Sequence, residues 1–396
     1  MASATARVAQ VAQPERLVLV NPEFDLLLAC CADAAALART QRIHSLLSGQ
    51  VDWNFLLQLA LQHGVIPQLY RQLSQNVSYG EIHLLQGLRK AYDANARQTL
   101  WLTRELVRVV AHLQNRGIKV LPYKGPVLAQ ILYGDVASRQ FSDLDLLIRA
   151  EDVPRARPAL AELGYKPGLR LNNREEYAYL KSGYEYTFDS PQARNLLELK
   201  WNILPRFYAV KFDIESLFAR AVDVEVGGAF MQTLCPEDLM PVLCVHAAKH
   251  AWVQLSWLCD IAQLARCAAI DWRELMCRAR QLGVERIVAV TFSLVQRLLG
   301  TPPPALVKAD RDLERLAARV IPIVVGRKKI DPDSFRYFRL MMDTRERKRD
   351  RLRFAWRLAS TPSVAEWSTI SLPRQLFALY GFVRVARVAK RLLVAL

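Results

Sequence analysis

One short segment near the middle of the chain limits the possible folds more than any other. Residues 142–148, with the sequence SDLDLLI, largely alternate polar and apolar side chains, and this period of two is typical of a β-strand with one buried face. Asp143 and Asp145 then project from one face of the strand, while Leu144 and Leu146 bury the other. The chain must therefore build a sheet that holds two like charges side by side.

Helical patterns surround this strand on both sides. Apolar side chains recur at helical spacing after Asp52, a suitable N-cap, and Gly64 is expected to end that helix. A longer helical pattern covers residues 84–116 and is expected to end at Gly117. Further strands are predicted at residues 118–123, 184–188 and 195–203, the last two as antiparallel neighbours.

These elements predict an α+β fold, with a small mixed or antiparallel sheet at its core and helical regions at both ends. The triple proline at residues 302–304 marks a break before the last quarter of the chain. We expect an N-terminal helical region, an α/β core, a helical region that completes the core's pocket and a basic helical C-terminal region, over residues 1–116, 117–232, 233–300 and 301–396.

The composition excludes several classes of protein. Hydrophobic residues make up 52% of the chain, which is enough for a buried core and argues against general disorder. The seven cysteines include no C-x-x-C pair, so neither a zinc ribbon nor a redox pair is expected. Residues 1–14 do not resemble a secretory signal, and no charge-free apolar run reaches the roughly 18 residues of a membrane span. We therefore expect a cytoplasmic protein.

Positive charge is concentrated in the last quarter of the chain. The whole sequence has a formal net charge of +16, and residues 300–396 hold 21 Lys or Arg against 9 Asp or Glu. This excess favours an anionic partner, and the alternative is a solvated helical surface. In residues 377–396 a helix would place Arg384, Arg387 and Arg391 on one side. That pattern suits either peripheral contact with the inner face of an anionic membrane or packing on the protein's own body.

The acidic pair suits either a metal site or a pair of solvated carboxylates, which are common, and the residues around it favour the metal site. Two adjacent carboxylates repel each other, and a fold keeps them together mainly where a cation neutralises them. Hard oxygen ligands at this spacing suit Mg²⁺, whose coordination is completed by water and substrate phosphates. Glu198 lies on a predicted strand whose other face carries Leu197 and Leu199. It is therefore a candidate third carboxylate beside Asp143 and Asp145.

A turn before the acidic strand offers contacts for phosphate. Lys124 and Gly125 lie between a predicted strand and a helix start, where backbone N–H groups and the helix dipole favour an anion. Arg139 and Ser142 stand just before the acidic pair and carry donors suited to phosphate oxygens. Three carboxylates near a glycine turn match two-metal phosphoryl chemistry, in which one ion activates the attacking hydroxyl and the other holds the triphosphate.

Two histidines four residues apart leave several interpretations open. His246 and His250 share one face of a helix, a spacing that suits zinc, but residue 247 is alanine rather than the glutamate of a zinc protease. They could instead be a hydrogen-bonded pair in a helical layer, or lie with Lys249 at the rim of a nucleotide pocket. Three tryptophans are interpreted as core aromatics, with base stacking as the alternative: Trp252, Trp257 and Trp272.

Together these motifs resemble a known family. Lys124-Gly125-Pro126, Tyr133-Gly134-Asp135 and the segment of residues 139–147 are similar to the uncharacterised bacterial nucleotidyltransferases of the DNA polymerase-beta-like superfamily. This chain also matches other motifs of that family, at Trp53 and at residues 63–67, 197–201, 244–252 and 257–260. The resemblance covers roughly residues 50 to 265, and the basic C-terminal part falls outside it.

The resemblance implies a metal-dependent enzyme with a nucleotidyltransferase core. It would transfer a nucleoside monophosphate from a nucleoside triphosphate, with ATP expected, to a hydroxyl or phosphate acceptor and release pyrophosphate. The ligands of Mg²⁺ or Mn²⁺ would be Asp143, Asp145 and Glu198. The acceptor stays open among a sugar, a peptide, a protein and RNA. The sequence departs from the family at Lys200, where histidine is common, and from the superfamily at the Lys124-Gly125 turn, which is usually glycine-serine.

A second hypothesis requires no turnover. In it the protein is a catalytically inactive nucleotide-binding scaffold, and its basic C-terminal tail docks on an anionic membrane or on nucleic acid. The lysine at position 200 and the basic last quarter motivate this alternative. The retention of Asp143, Asp145 and Glu198 favours the active enzyme.

Overall fold

The strands form one small mixed sheet and a separate hairpin in the computed structural model of this chain. The structure describes residues 21–394 with gaps at 34, 78–84, 170–172, 192–194, 309, 327–329, 332–333 and 362–378. The sheet comprises β1 (Leu121–Pro122), β2 (Asp143–Leu147), β3 (Lys166–Pro167), β4 (Glu185–Asp189) and β5 (Leu196–Lys200), in the order β1-β2-β5-β4-β3. The β2–β5 pair is parallel and the other pairs are antiparallel. The expected α+β fold is therefore confirmed.

Helices make up most of the remaining described chain. The N-terminal helices are α1 (Pro22–Cys31), α2 (Ala36–Leu47), α3 (Trp53–His63), α4 (Ile66–Asn76) and α5 (Gln86–Gln114). Those between the strands are α6 (Gly125–Tyr133), α7 (Val153–Glu162), α8 (Asn173–Ser182) and α9 (Ile214–Ala219). The later helices are α10 (Pro236–Lys249), α11 (Leu255–Cys267), α12 (Trp272–Leu282), α13 (Glu285–Leu299), α14 (Arg311–Val325), α15 (Phe335–Asp343), α16 (Lys348–Ser360) and α17 (Tyr380–Val394).

Local signals set the ends of the N-terminal helices as the sequence predicts. The side chain of Asp52 accepts a hydrogen bond from the backbone N–H of Phe55, as an N-cap does. Gly64 ends α3 in the left-handed conformation, with a φ of 69°. The N–H of Ile118 returns to the carbonyl of Leu113, which closes α5 beside Gly117. These predictions are confirmed because each depends on neighbours in the chain rather than on the fold.

The apolar face of the sheet packs against helices. Leu144 and Leu146 of β2 pair with Leu197 and Leu199 of β5, and all four side chains are buried. They belong to an apolar cluster that includes residues of α5 and α7. The alternation predicted for β2 is therefore correct, and it leaves the acidic side chains on the opposite face of the sheet.

A second apolar cluster extends through the helices beyond the sheet. It runs from Phe24 in α1 to Phe354 in α16, and it includes Leu147 on the acidic face of the sheet. The N-terminal and C-terminal helices thus share one core. The division of the chain into the four regions expected from the sequence remains a prediction.

One predicted strand is shorter in the structure than expected, and a hairpin lies apart from the main sheet. The strand expected at residues 118–123 shrinks to Leu121–Pro122. It is an edge strand that pairs with β2 alone, and Pro122 has no N–H with which to extend the ladder. Gly227 and Gly228 form the turn of a separate hairpin between β6 (Val222–Val226) and β7 (Ala229–Thr233).

In the C-terminal helix α17, Arg384 packs on the protein's own body, which is one of the two interpretations expected for residues 377–396. Arg384 is buried, and its Nε lies 3.4 Å from the carbonyl oxygen of Leu358 in α16. Phe382 and Val385 are exposed instead. The side chain of Arg391, residues 377–378 and 395–396, and the N-terminal residues 1–14 lie outside what the structure describes. Among the described helices, none has both the length and the apolar run that crossing a bilayer takes.

Replacing a leucine beneath the acidic strand tests this packing. Leu144 is 0% exposed, so Leu144→Ala is expected to lower the free energy of unfolding by about 2–5 kcal/mol through lost burial and a cavity. Leu100→Ala on α5, at a side chain that is 59% exposed, is the matched control and is expected to cost less than about 0.5 kcal/mol. Urea denaturation measures both values. Equal losses would contradict the strand orientation.

Candidate active site

Strands β2 and β5 bring the three expected carboxylates together. Because the strands are parallel, Asp145 lies opposite Glu198, and the alternation along β2 puts Asp143 on the same face. One side-chain oxygen from each residue lies within 4.8 Å of the others. In the part of the chain that the structure describes, no other group of three or more His, Cys, Asp or Glu side chains gathers in this way.

The Lys124-Gly125 turn lies directly beside this group. Gly125 begins α6 with a φ of 56°, and a Cβ there would lie 3.1 Å from the backbone oxygen of Asp143. The close approach of turn and strand therefore requires glycine. The Nζ of Lys124 lies 3.4 Å from Asp145 Oδ1 and 3.1 Å from His246 Nδ1. The turn thus brings a buried cation to the aspartates.

A second lysine makes still closer contacts with the acidic group. Lys200 ends β5 and shares a sheet face with Glu198, two residues before it. Its Nζ lies 2.6 Å from Asp145 Oδ1 and 2.6 Å from Glu198 Oε2. It also lies 3.6 Å from Glu185 Oε2 on β4. Lys200, whose role the sequence left open, is therefore the nearest counter-charge to two of the three carboxylates.

Burial and the two lysines shift the pKa values of the three carboxyl groups in different directions. Burial, assisted by the charge of Asp145, raises the pKa of Asp143. Burial also opposes ionisation of Asp145, but Lys124 and Lys200 outweigh it and hold the pKa of Asp145 well below its ordinary value. Burial raises the pKa of Glu198 to about 7 against the opposing effect of Lys200. Glu198 can therefore exchange a proton near neutral pH.

Arg139 has a buried partner that the sequence analysis did not assign. Its Nε lies 3.1 and 3.0 Å from the two carboxylate oxygens of Asp260 in α11, and both side chains are buried. Such a pair is costly to break, because one charge would remain buried without its partner. Arg139 lines the same cavity as the acidic residues, as does exposed Ser142. Their contact with phosphate stays a prediction.

A cavity of about 400 Å³ opens above the acidic face of the sheet. Its opposite wall contains His246 and Lys249 of α10, His250 directly after that helix, and Trp257 of α11. The three rings of this wall contact one another, with centroid separations of 5.0 Å to 5.4 Å. The interpretation that placed His246, Lys249 and His250 around the same pocket thus agrees with the lining of this cavity.

The donors in this cavity suit a hard divalent cation. The three carboxylates offer oxygen ligands, which Mg²⁺ and Mn²⁺ prefer. The histidines do not join them in the described residues, since the Nδ1 of His246 lies beside the ammonium of Lys124. Burial and that ammonium lower the pKa of His246 well below its ordinary value, which keeps the ring neutral.

Several residues of the site escaped the sequence analysis. Tyr184 and Glu185 lie at the start of β4 and also line the cavity, as do Gln254 and Ser256 before and within α11. The alternation of β4 could have indicated Glu185, because Tyr186 and Phe188 on the other face are buried. The sequence carried no comparable signal for the loop residue Gln254.

Comparison with known proteins identifies the family of this chain. The sequence model of the family described as uncharacterised nucleotidyltransferase matches residues 49–300. The chain belongs to this family and is a nucleotidyltransferase, which confirms the resemblance seen in its motifs. No curated protein sequence matches the chain.

Two solved structures show a limited likeness to this chain. One is the antibiotic-resistance factor ANT(2'')-Ia, which is 14% identical, with 48% of this chain and 88% of that one covered and a TM-score of 0.31. The other is an antigenic nucleotidyltransferase-like protein from Paracoccidioides brasiliensis, also 14% identical, with 54% and 96% covered and a TM-score of 0.29.

The raised pKa of Glu198 predicts a pH-dependent effect on stability. In the fold its pKa is about 7, above the ordinary value of 4.5, so the folded state holds this proton more tightly than the unfolded state. The stability that this proton contributes is present at low pH and is lost as the pH rises through about 7. Glu198→Gln should therefore gain stability relative to wild type between about pH 5 and about pH 8.

Urea denaturation in the presence of a chelator measures this difference. Glu151→Gln, at an exposed carboxyl outside the cavity, controls for the loss of a surface carboxylate. A difference between Glu198→Gln and wild type that stays constant with pH would contradict the assignment.

Proposed function

We propose that this protein transfers a nucleoside monophosphate from a nucleoside triphosphate to a hydroxyl or phosphate acceptor, with a divalent cation and with ATP as the expected donor. The observation that carries the proposal is the convergence of Asp143, Asp145 and Glu198 on one sheet face within a cavity. Membership of a nucleotidyltransferase family supports the class of reaction. The acceptor stays open among a sugar, a peptide, a protein and RNA.

The three carboxylates would hold the cation, Mg²⁺ or Mn²⁺. Such a cation, when bound, neutralises charge on the triphosphate and lowers the pKa of an attacking hydroxyl. Lys124 supplies a further positive charge beside Asp145. The start of α6 at Gly125 offers backbone N–H groups to a phosphate oxygen. Arg139 and Ser142, on the same cavity wall, are proposed to support the phosphates.

Glu198 is proposed to take the proton of the acceptor. Because its pKa is about 7, both the protonated and the ionised form of Glu198 are populated at neutral pH. The acceptor oxygen would form a bond to the α-phosphorus as the bond from that phosphorus to the β-phosphate bridging oxygen breaks. Pyrophosphate is then the leaving group, and the proton of the acceptor moves to the Glu198 carboxylate.

Trp257 is the proposed stacking surface for the nucleobase. Of the three tryptophans considered from the sequence, Trp252 is fully buried and donates a hydrogen bond to Thr291, and Trp272 packs on Phe292. Trp257 alone of these three lines the cavity. An aromatic ring there can stack on any base, so this contact does not decide the preference for ATP.

Removing the acidic pair tests the proposed reaction. Asp143→Asn and Asp145→Asn keep the side-chain shape but remove the charges that would hold the cation, so transfer is expected to fall by about a hundredfold or more. The measurement is label transfer from α-³²P-labelled ATP to acceptors in a cell lysate, with release of pyrophosphate. Asp152→Asn, at a carboxylate outside the cavity, is the matched control. Equal labelling by wild type and the two variants would reject the proposal.

The same experiment distinguishes the inactive scaffold. A protein of that kind would bind ATP and show no Asp143-dependent labelling. We favour the enzyme because the acidic residues are retained and converge within one cavity.

The C-terminal helices are proposed to contact an anionic membrane surface. Arg349, Leu352, Arg353 and Trp356 follow one another at helical spacing on α16, and all four are exposed. We call these four residues the α16 face. Basic and apolar side chains on one exposed face, with a tryptophan among them, suit the headgroup region of a bilayer. Exposed Phe382 lies on the neighbouring helix α17.

Vesicle binding tests the α16 face. Leu352→Ala with Trp356→Ala removes two apolar side chains that are 75% and 73% exposed, so cosedimentation with phosphatidylserine vesicles should weaken by about tenfold or more. Phe230→Ala, at a side chain that is 77% exposed on the β6–β7 hairpin, is the control. Equal binding to neutral vesicles, or binding to duplex nucleic acid without vesicle binding, would reject the membrane proposal.

A further inference from the structure

Lys200 occupies space that a metal ion between two of the proposed ligands would need. Its Nζ lies 2.6 Å from Asp145 Oδ1 and 2.6 Å from Glu198 Oε2. An ion that bridged these oxygens at Mg²⁺–oxygen distances of about 2.1 Å would have to lie within the volume of the ammonium group. The lysine and an ion therefore compete for the same two oxygens.

The surroundings of Lys200 hold its side chain in this position. The side chain is 4% exposed, and its backbone is fixed in β5 between β2 and β4. Its Nζ has a third carboxylate at Glu185 and lies 5.9 Å from the centre of the Tyr123 ring. If the Lys200 side chain moved away, the carboxylates around it would face one another without their shared counter-charge.

Asp143 does not share this contact. In the described residues, no ion pair joins Lys200 to Asp143. Asp143 is half-buried and lines the cavity. Lys124 and Lys200 both form their hydrogen bonds to Asp145 through Oδ1, at 3.4 and 2.6 Å. Oxygen ligands therefore remain on the Asp143 side of the group, where a cation bound to a triphosphate could join them.

We propose that the Lys200 ammonium replaces one of the two divalent ions of a two-metal site, so that this protein binds a single divalent ion together with its nucleotide. The inference rests on the proposed function. The replaced position is the one between Asp145 and Glu198. The inference therefore narrows the ligands of the remaining ion, for which all three carboxylates were proposed, to Asp143 and Asp145, and it leaves Glu198 to receive the acceptor proton. The retained ion is the one that accompanies the triphosphate, on the side of Asp143.

Counting bound Mn²⁺ tests this inference without turnover. Wild-type protein, dialysed to equilibrium with Mn²⁺ and the analogue α,β-methylene-ATP, is expected to bind about one ion per chain. Lys200→Met removes the ammonium but keeps a side chain of similar length, and should bind about two. Lys200→Arg keeps the charge and should remain at about one. Lys249→Met is the matched control, because Lys249 lines the same cavity and forms no ion pair with the three carboxylates in the described residues.

An electron paramagnetic resonance spectrum of the wild-type complex gives a second readout that needs no variant to fold. Two Mn²⁺ ions about 4 Å apart would be spin-coupled, whereas a single ion gives an uncoupled spectrum. A coupled pair in the wild type overturns the inference, as does a count of one ion in folded Lys200→Met.

The ion count and the transfer assay separate the two levels of the proposal. One bound ion with no label transfer would support the role of Lys200 and reject the proposed function. Two bound ions with transfer would reject the role of Lys200 and leave the function in place. Absence of any bound ion would reject both.

Discussion

The parallel pairing of β2 with β5 is the constraint on which the rest of the site depends. It sets Asp145 opposite Glu198, although 52 residues separate the two along the chain. The same register buries Leu144 against Leu197 on the other face. A slip by one residue would turn the acidic side chains into the apolar layer and the leucines into the cavity. Burial of the leucines and convergence of the carboxylates therefore have one cause.

The acidic face is stable because cations are built into the fold around it. Lys124 arrives from the turn before α6 and Lys200 from the end of β5, and both contact Asp145. Asp145 is consequently ionised, whereas burial leaves Asp143 and Glu198 with raised pKa values. The three carboxyl groups therefore have different pKa values because their surroundings differ. This difference suits the roles of metal ligand and proton acceptor within one cavity.

Much of the sheet and of the acidic group could be predicted, but the partners of several cationic side chains could not. The alternation in residues 142–148 and the leucines around Glu198 were sufficient to orient both strands. The partners of Arg139, Lys200 and Arg384 were not predictable in the same way. Long side chains reach partners on other elements. Arg139 contacts Asp260, and Lys200 contacts Asp145 and Glu198. Arg384 contacts the carbonyl oxygen of Leu358. Sequence spacing along one element carries no information about those partners.

By itself the sequence determined the faces of β2 and β5 and the ends of α3 and α5, because periodicity, caps and turn residues act between neighbours in the chain. It also determined the family, because each of the family's motifs is a short run of neighbouring residues. Only the tertiary structure decided which charges meet. The distance from Lys200 to Asp145 depends on the packing of β5 beside β2, and the wall of His246 and Trp257 depends on α10 and α11 closing over the sheet. Those contacts join residues far apart in sequence, and burial strengthens the electrostatic effect of each.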